Sequence, residues 1–415
     1  MGAEWVSERP MRRWLVVVAG VVMQAMLGVV MAWSVFRDPL AEAFGWTVSE
    51  ITLAFTLNYL AFGFSAFAGG LWLPRVGPRT VALAAALLYG LGFALASLAD
   101  HHLWVLYLSF GLVGGAGRGL GYIVPVAVLV KWFPDRRGLA TGLAAAGFAA
   151  GAVVGAPVLE TFIASIGVLW TFGVIGGSSL VVVGGAAVLL PPPPPGYRPS
   201  GWRPSATVRD ATEDYTLGEA LRTPQWYALW AQIFLSGAVG LALVSQAAPM
   251  AQEITGIGSA VAAALIGGVA LGNLVGRFCW ACLSDAVGRR AVFTAIFLVE
   301  GIAFFLLPYA TEPVTFGAVA FLVLFSFGGG LGAMPAFAAD YFGPTHVGAI
   351  FGLILTASGL GSVLGPLLMA WSYQATGGYG QALWLLGAMA LAATAIPLLI
   401  RPPVRAESAP ALATA

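Results

Sequence analysis

Two arginines stand inside long apolar stretches of this 415-residue chain: Arg118 within Leu103 to Val130, and Arg277 within Ser259 to Leu283. A guanidinium at the centre of a membrane-spanning helix costs at least about 2.5–3.5 kcal/mol, so it ordinarily faces a cavity or a partner and marks the path of a polar ligand. Its planar fork of donors matches a carboxylate in two parallel hydrogen bonds, which an ammonium does not. The chemistry on offer is therefore recognition of an anion. Asn273 precedes Arg277 by one turn on the same helical face, and Tyr122 follows Arg118 by one turn. Arg277 lies nearer one end of its run, so snorkelling or a structural pairing is its alternative role. For Arg118 two readings stand level. It is either a second cation opposite Arg277, or the partner of a carboxylate such as Glu160 or of backbone carbonyls.

The remaining composition narrows the function class. The chain is 59% hydrophobic and 9% charged, against about 25% charged in soluble domains, which excludes a soluble fold. A net charge of +1 with no basic face or tail argues against nucleic acid. Cys279 and Cys282 share one apolar run and supply neither a disulfide framework nor a zinc site. His101 and His102 are adjacent with no further ligands, so no metal is expected. The glycines at 114, 115, 117, 119 and 121 lie inside a hydrophobic helix with no strand before them, which indicates close helix packing and not a phosphate loop. No Ser, His and Asp set and no paired aspartates occur within the spans, so neither an enzyme nor a cofactor is implied.

Charged residues bound twelve apolar runs: Trp14 to Phe36, Ile51 to Leu73, Thr80 to Ala99, Leu103 to Val130, Gly138 to Leu159, Gly167 to Leu190, Trp226 to Met250, Ser259 to Leu283, Ala291 to Ala310, Val314 to Ala339, Gly348 to Tyr373 and Ala382 to Ile400. Each is long enough to cross a bilayer core of about 30 Å. The first has no A-x-A-like cleavage site after it and reads as a retained span. A polar segment opening on five prolines separates spans six and seven. The expected organisation is an all-α membrane protein, with a first six-helix half over 1–190, a linker over 191–223 and a second half over 224–415. Of the 19 lysines and arginines, 16 fall on one side, leaving Arg37 outside and Arg118 and Arg277 within spans. By the positive-inside rule that side, with both termini, is cytoplasmic in the plasma (inner) membrane. Residues recur at an offset of 210: Pro125 with Pro335, Gly138 with Gly348, Gly142 with Gly352, Gly151 with Gly361 and Gly155 with Gly365. Two halves related by a parallel repeat leave such a trace.

The segment Cys282 to Arg290, CLSDAVGRR, resembles the signature loop of the major facilitator superfamily. In that loop an aspartate and arginines, here Asp285, Arg289 and Arg290, lock neighbouring helices. The first-half counterpart, WLPRVGPR, has Pro74 where the acid would sit. A narrower resemblance, to the monocarboxylate transporter family and the oxalate:formate antiporter group, rests on five segments. These are AWSVF (32–36), FGWTVSE (44–50), GYIVPVA (121–127), KWFPDRRGLATGLAAAG (131–147) and ADYFGPTHVGAIFG (339–352).

That resemblance implies a monomeric secondary transporter moving a small carboxylate by alternating access, without ATP. It implies that Arg277 forks onto the carboxylate and that Tyr122 faces the cavity. Asn273 stands where animal members carry a proton-coupling aspartate, so a proton partner would have to use another route. Ser358 stands where the oxalate:formate antiporter has a lysine, which favours a monocarboxylate such as lactate or pyruvate and leaves a small dicarboxylate as the alternative. Gln24, Trp33, Asn58, Gln246 and Phe327 lie on helices that line the cavity in relatives, and each is more often packing than contact. Glu300 and Asp340 read first as structural, with a coupling-proton role as the alternative. The competing class is a receptor that keeps the fold without net transport.

Overall fold

In hydrocarbon a chain must satisfy its backbone polar groups within itself, and for apolar runs of this length that means the α-helix. The computed structural model describes residues 10–194, 196–199 and 214–403. Within them twelve helices are long and apolar enough to cross a membrane. They are α1 (Arg13–Ala32), α2 (Val48–Val76), α3 (Pro78–Ala96), α4 (Leu103–Trp132), α5 (Arg137–Ile166), α6 (Val168–Val188), α7 (Pro224–Thr255), α8 (Ser259–Val287), α9 (Arg289–Tyr309), α10 (Pro313–Phe342), α11 (Val347–Thr376) and α12 (Gly380–Leu399). The expected linker is described only in part, because 195 and 200–213 lie outside the described residues.

The first run departs from expectation. Instead of one helix reaching Phe36, α1 tightens into a 3-10 turn at Val29–Ala32, and a separate helix, Ser34–Phe44, begins after Trp33. At the break the Trp33 indole stacks on Phe110, with ring centroids 4.1 Å apart, and lies among Phe36, Phe55 and Phe172. Aromatic packing there fixes the chain direction that helical continuity would otherwise set. Beyond it Arg37 pairs with Asp38 at 2.7 Å, and this hydrogen bond and charge hold the Asp38 carboxyl below the usual carboxylate range.

The glycines that recur at an offset of 210 account for how the helices assemble. A Cβ at Gly151 would run into the Ala25 carbonyl of α1, and one at Gly361 would lie 2.5 Å from the Phe234 carbonyl of α7. In each half the fifth helix therefore packs backbone to backbone on the first. Nearer the start of the same helices, a Cβ at Gly142 would lie 2.9 Å from the Arg277 carbonyl of α8, and one at Gly352 would lie 2.9 Å from the Ala66 carbonyl of α2. Here α5 crosses α8, and α11 crosses α2, between the halves. Small residues allow this approach where no hydrophobic driving force separates helix from lipid. One repeat thus builds both the inside of each half and the contact between them.

That contact is concentrated at the end of the bundle bearing the arginine-rich loops, termed the basic end. Asp285 accepts the backbone N–H groups of Gly138 and Leu139, each at 2.8 Å, at the first turn of α5. A carboxylate is favoured at a helix N-terminus by the free N–H groups and the helix dipole. Arg289 bridges Asp285 and Asp340, each at 2.7 Å, and Asp340 reaches Arg137 of the other half at 2.7 Å. Thr141 donates to the Gly332 carbonyl at 3.1 Å. Every hydrogen bond between the halves among the described residues lies between this end and Arg277. Toward the other end the crossing helices expose Leu53 and Leu60 of α2, Val154 of α5, Val261 of α8 and Leu360 of α11.

Two outcomes follow from this packing. Gly151→Leu is expected to lower the thermal midpoint in detergent, reflecting a loss of about 1–3 kcal/mol from overpacking. Gly185→Leu, whose Cβ meets nothing within 4 Å, should leave the midpoint unchanged. Asp340→Asn removes one carboxylate from two arginines. With Cys279 and Cys282 replaced by serine and the buried Thr141 replaced by cysteine, this variant should alkylate faster with a water-soluble maleimide than its Asp340 parent. Equal rates would show that the bridge does not hold the basic end together.

Candidate functional site

Arg118 is positioned by an irregularity in its own helix. Within α4 the segment Tyr107–Gly114 is π-helical before α-helix resumes at Gly115. A widened turn disturbs the regular pairing of carbonyls. The Phe110 carbonyl accepts the Asn58 side-chain amide of α2 at 2.8 Å, and the Asn58 Oδ1 accepts from Arg118 Nη1 at 2.9 Å. Asn58 is thus a clamp, fixed at one end to the wide turn and at the other to the guanidinium. Gly115 lets α4 approach closely, since a Cβ there would lie 2.5 Å from the Asn58 carbonyl.

The rest of the Arg118 surroundings is aromatic. Its guanidinium carbon lies 4.6 Å from the Tyr59 ring centroid, 4.4 Å from Phe62 and 5.3 Å from Phe148. Ring faces attract a cation by about 0.5–2 kcal/mol each when water is excluded, and Arg118 is 1% exposed. Nη2 approaches the Met31 sulfur at 3.8 Å, and Nε has no partner. Glu160, the carboxylate considered from the sequence, is exposed on α5. The partners of Arg118 are an amide oxygen, a thioether and three rings.

Arg277 enters from the other half. Its Nε donates to Asn273 Oδ1 at 3.0 Å, one turn earlier on α8, and its Nη1 donates to the Ala145 carbonyl of α5 at 3.4 Å. The Tyr122 phenol of α4 lies beside it. Its guanidinium carbon is 5.8 Å from the same Phe148 ring that Arg118 faces. Two cations carried by opposite halves therefore share the Phe148 ring, and the Tyr122 ring meets it edge-on at 5.3 Å. Buried Gln24 of α1 donates to the Tyr122 carbonyl at 3.3 Å and leaves its Oε1 without a partner. Among the described residues no carboxylate forms an ion pair with either arginine. The centre of the bundle holds two buried positive charges with no carboxylate counter-ion among the described residues, an arrangement that could accept an anion.

The structure thus brings together Arg118, Arg277, Asn273, Tyr122 and Gln24. It places Phe327 and Ser358 elsewhere. Gly240 of α7 packs on the Phe327 ring, the Ser358 Cα lies beside Gly237, and none of the arginines' bonds or ring contacts involves either residue. Trp33 belongs to the aromatic cluster at the break in α1, and Gln246 accepts from Tyr379 at 3.2 Å. Asp285, Arg289 and Arg290 lie at the basic end, where Arg290 donates to the Pro397 carbonyl at 2.8 Å. Sequence reasoning missed Phe148. The signal was present, since Phe148 is the only large side chain between Leu143 and Val153.

Comparison with known proteins gives this geometry a family. The model of the Major Facilitator Superfamily matches residues 14–269 and 229–414. The chain is 30% identical over 358 residues to an uncharacterized MFS-type transporter, YhjX, of Escherichia coli (strain K12), covering 85% of this chain and 86% of that one. It is 28% identical over 362 residues to the oxalate:formate antiporter of Oxalobacter formigenes, covering 85% and 83%. It is 26% identical over 403 residues to monocarboxylate transporter 13 of Rattus norvegicus, covering 92% and 87%. With twelve apolar helices in two repeat-related halves and a family model matched along nearly its whole length, the protein belongs to the Major Facilitator Superfamily and is a multi-pass membrane transporter.

Proposed function

We propose that this protein is a secondary active transporter of small organic anions, first of all a monocarboxylate such as lactate or pyruvate, carried with a proton by alternating access. The observation that carries the reading is the pair of buried guanidiniums sharing one phenylalanine ring with no carboxylate beside them. Closing a cavity around an unpaired charge is costly, and a bound carboxylate supplies the missing counter-ion. Arg277 presents its fork from one half while bonded to Ala145 of the other, so an anion there engages both sides of the interface. Arg118 is already spread over Asn58 and three rings, which leaves Arg277 as the principal partner of a single carboxylate. The positive-inside rule makes the basic end cytoplasmic, in the plasma (inner) membrane. On this reading the carrier is closed toward the cytoplasm and acts as a monomer of two six-helix units, 1–190 and 224–415, joined by 191–223.

A second reading has its own support. Because both cations face Phe148 and neither has an acid partner, a small dicarboxylate could engage the two together, in an exchanger of the oxalate/formate kind. The relatives named for oxalate, formate and monocarboxylates are consistent with either cargo.

Uptake into proteoliposomes of labelled lactate, pyruvate, formate, oxalate and malonate decides between them, with and without an inward proton gradient and internal counter-substrate. Exclusion of every acid would overturn the cargo assignment. Arg277→Lys is expected to reduce uptake at least about tenfold at normal membrane expression, since a charge-assisted hydrogen bond is worth about 1.5–3 kcal/mol. Wild-type uptake in that variant would move the site away from Arg277. Arg118→Gln should retain lactate uptake if the monocarboxylate reading holds. Selective loss of oxalate or malonate uptake would instead establish the two-cation pocket.

A further inference from the structure

Glu300 is the one carboxyl group wholly enclosed in the membrane-spanning core among the described residues. It is 0% exposed at the middle of α9, and nothing in the anion site uses it. Ser236 of α7 donates to its Oε1 at 3.3 Å, while Oε2 has no partner. From α10 the neighbouring position is Gly330, beside Ser236 Oγ and the Phe293 ring. No charged side chain faces Glu300 from α7, α10 or α12 among the described residues. On its own helix the nearest cations, Arg289 and Arg290, are about 15 Å away at 1.5 Å per residue. Both are engaged, Arg289 with Asp285 and Asp340, and Arg290 with the Pro397 carbonyl.

We propose that Glu300 is the proton-binding site of the transport cycle, neutral when the basic end is closed and deprotonated when α7 and α10 repack as that end opens. The coupling half of this inference rests on the proton-symport reading above. An ionised carboxylate held by a single hydroxyl in an apolar enclosure costs several kcal/mol, whereas the neutral acid is tolerated there. Asn273, on the face of Arg277, cannot titrate, so a proton that accompanies the anion needs another carrier.

The position of Ser236 links this carboxyl to the interface. It precedes Gly237, which packs on Ser358 of α11, and lies one turn before Gly240, which packs on Phe327 of α10. Gly330 lies one turn after Phe327. A shift of α7 against α9 and α10 therefore changes the only side-chain hydrogen bond that Glu300 receives among the described residues, and it can admit water to Oε2. The step is a proton exchange alone: a carboxylate takes a proton from water on one side and returns it to water on the other.

Two measurements test the proposal. In infrared spectra of the purified protein at neutral pH, the wild type should show a protonated carboxyl carbonyl band that shifts in heavy water and is missing from Glu300→Gln. Its absence from the wild type overturns the site whatever the cargo. In proteoliposomes, one inward pH unit supports up to about tenfold accumulation when one proton accompanies each anion. Glu300→Gln should lose that accumulation but keep exchange against internal substrate, with Glu300→Asp retaining part of it. Undiminished gradient-driven accumulation by Glu300→Gln, or a wild type indifferent to the gradient, overturns the coupling. A carboxyl band with no carboxylate uptake would uphold the proton site and reject the cargo reading instead.

Discussion

A guanidinium cannot shed its charge, so once placed in the hydrocarbon span it must be given something in place of water. The two arginines of this protein meet that demand differently. Arg118 is enclosed by an amide oxygen and three aromatic rings, all of them uncharged. Arg277 has an amide oxygen on its own helix and a backbone carbonyl across the interface. Neither solution neutralises the charge. Among the described residues the two cations are held by uncharged groups and ring faces alone.

The repeat explains how the two arginines come to lie where the halves meet. The same glycines that seat α5 on α1 and α11 on α7 continue along those helices into the crossings with α8 and α2. Interfaces within a half and between halves are therefore built from one type of contact, backbone against backbone. They differ in what reinforces them. Between the halves the reinforcement is ionic and lies at one end, in Asp285, Arg289, Asp340 and Arg137. The two halves contribute unequally to it. In the second half Asp285 reaches across to α5, whereas the first half has Pro74 at the corresponding place. The arginines that follow do correspond: Arg79 donates to the Val188 carbonyl at the end of α6 at 3.1 Å, as Arg290 does to that of Pro397 in α12.

Much of this was legible in the sequence because the bilayer imposes length and apolarity so strictly. Twelve spans and their repeat follow from charge spacing and glycine offsets, and the loop at Asp285 from its resemblance to a superfamily signature. What composition could not resolve was direction within a span. Arg118 could equally have faced Glu160 until the π-helical turn at Tyr107–Gly114 and the Asn58 clamp set its orientation, and hydrophobic periodicity carries no trace of such a turn. The resemblance to carboxylate carriers implies that Phe327 and Ser358 line the cavity, and both lie beside glycines of α7, apart from the bonds and ring contacts of the two arginines. The break after Trp33 was also hidden, since no charge or proline marks it. Phe148 was overlooked although its isolation among small residues of α5 marks it, because only the two cations near its ring show what it does.

The helix pair α5 and α8 ties the centre of the molecule to its basic end. On α8, Arg277 and Asp285 are eight residues apart, about 12 Å along the axis. On α5 their partners follow in the matching antiparallel order, Ala145 for Arg277 and the N–H groups of Gly138 and Leu139 for Asp285. A guanidinium carries five N–H donors, and Arg277 commits one on Nε to Asn273 and one on Nη1 to Ala145, so a further acceptor need not displace the Ala145 carbonyl. Between these two levels a Cβ at Gly142 would lie 2.6 Å from the Ala281 Cβ and 2.9 Å from the Arg277 carbonyl, so the two helices are in direct contact there. The helix pair that carries the Arg277–Ala145 bond is thus the same pair that Asp285 joins at the basic end.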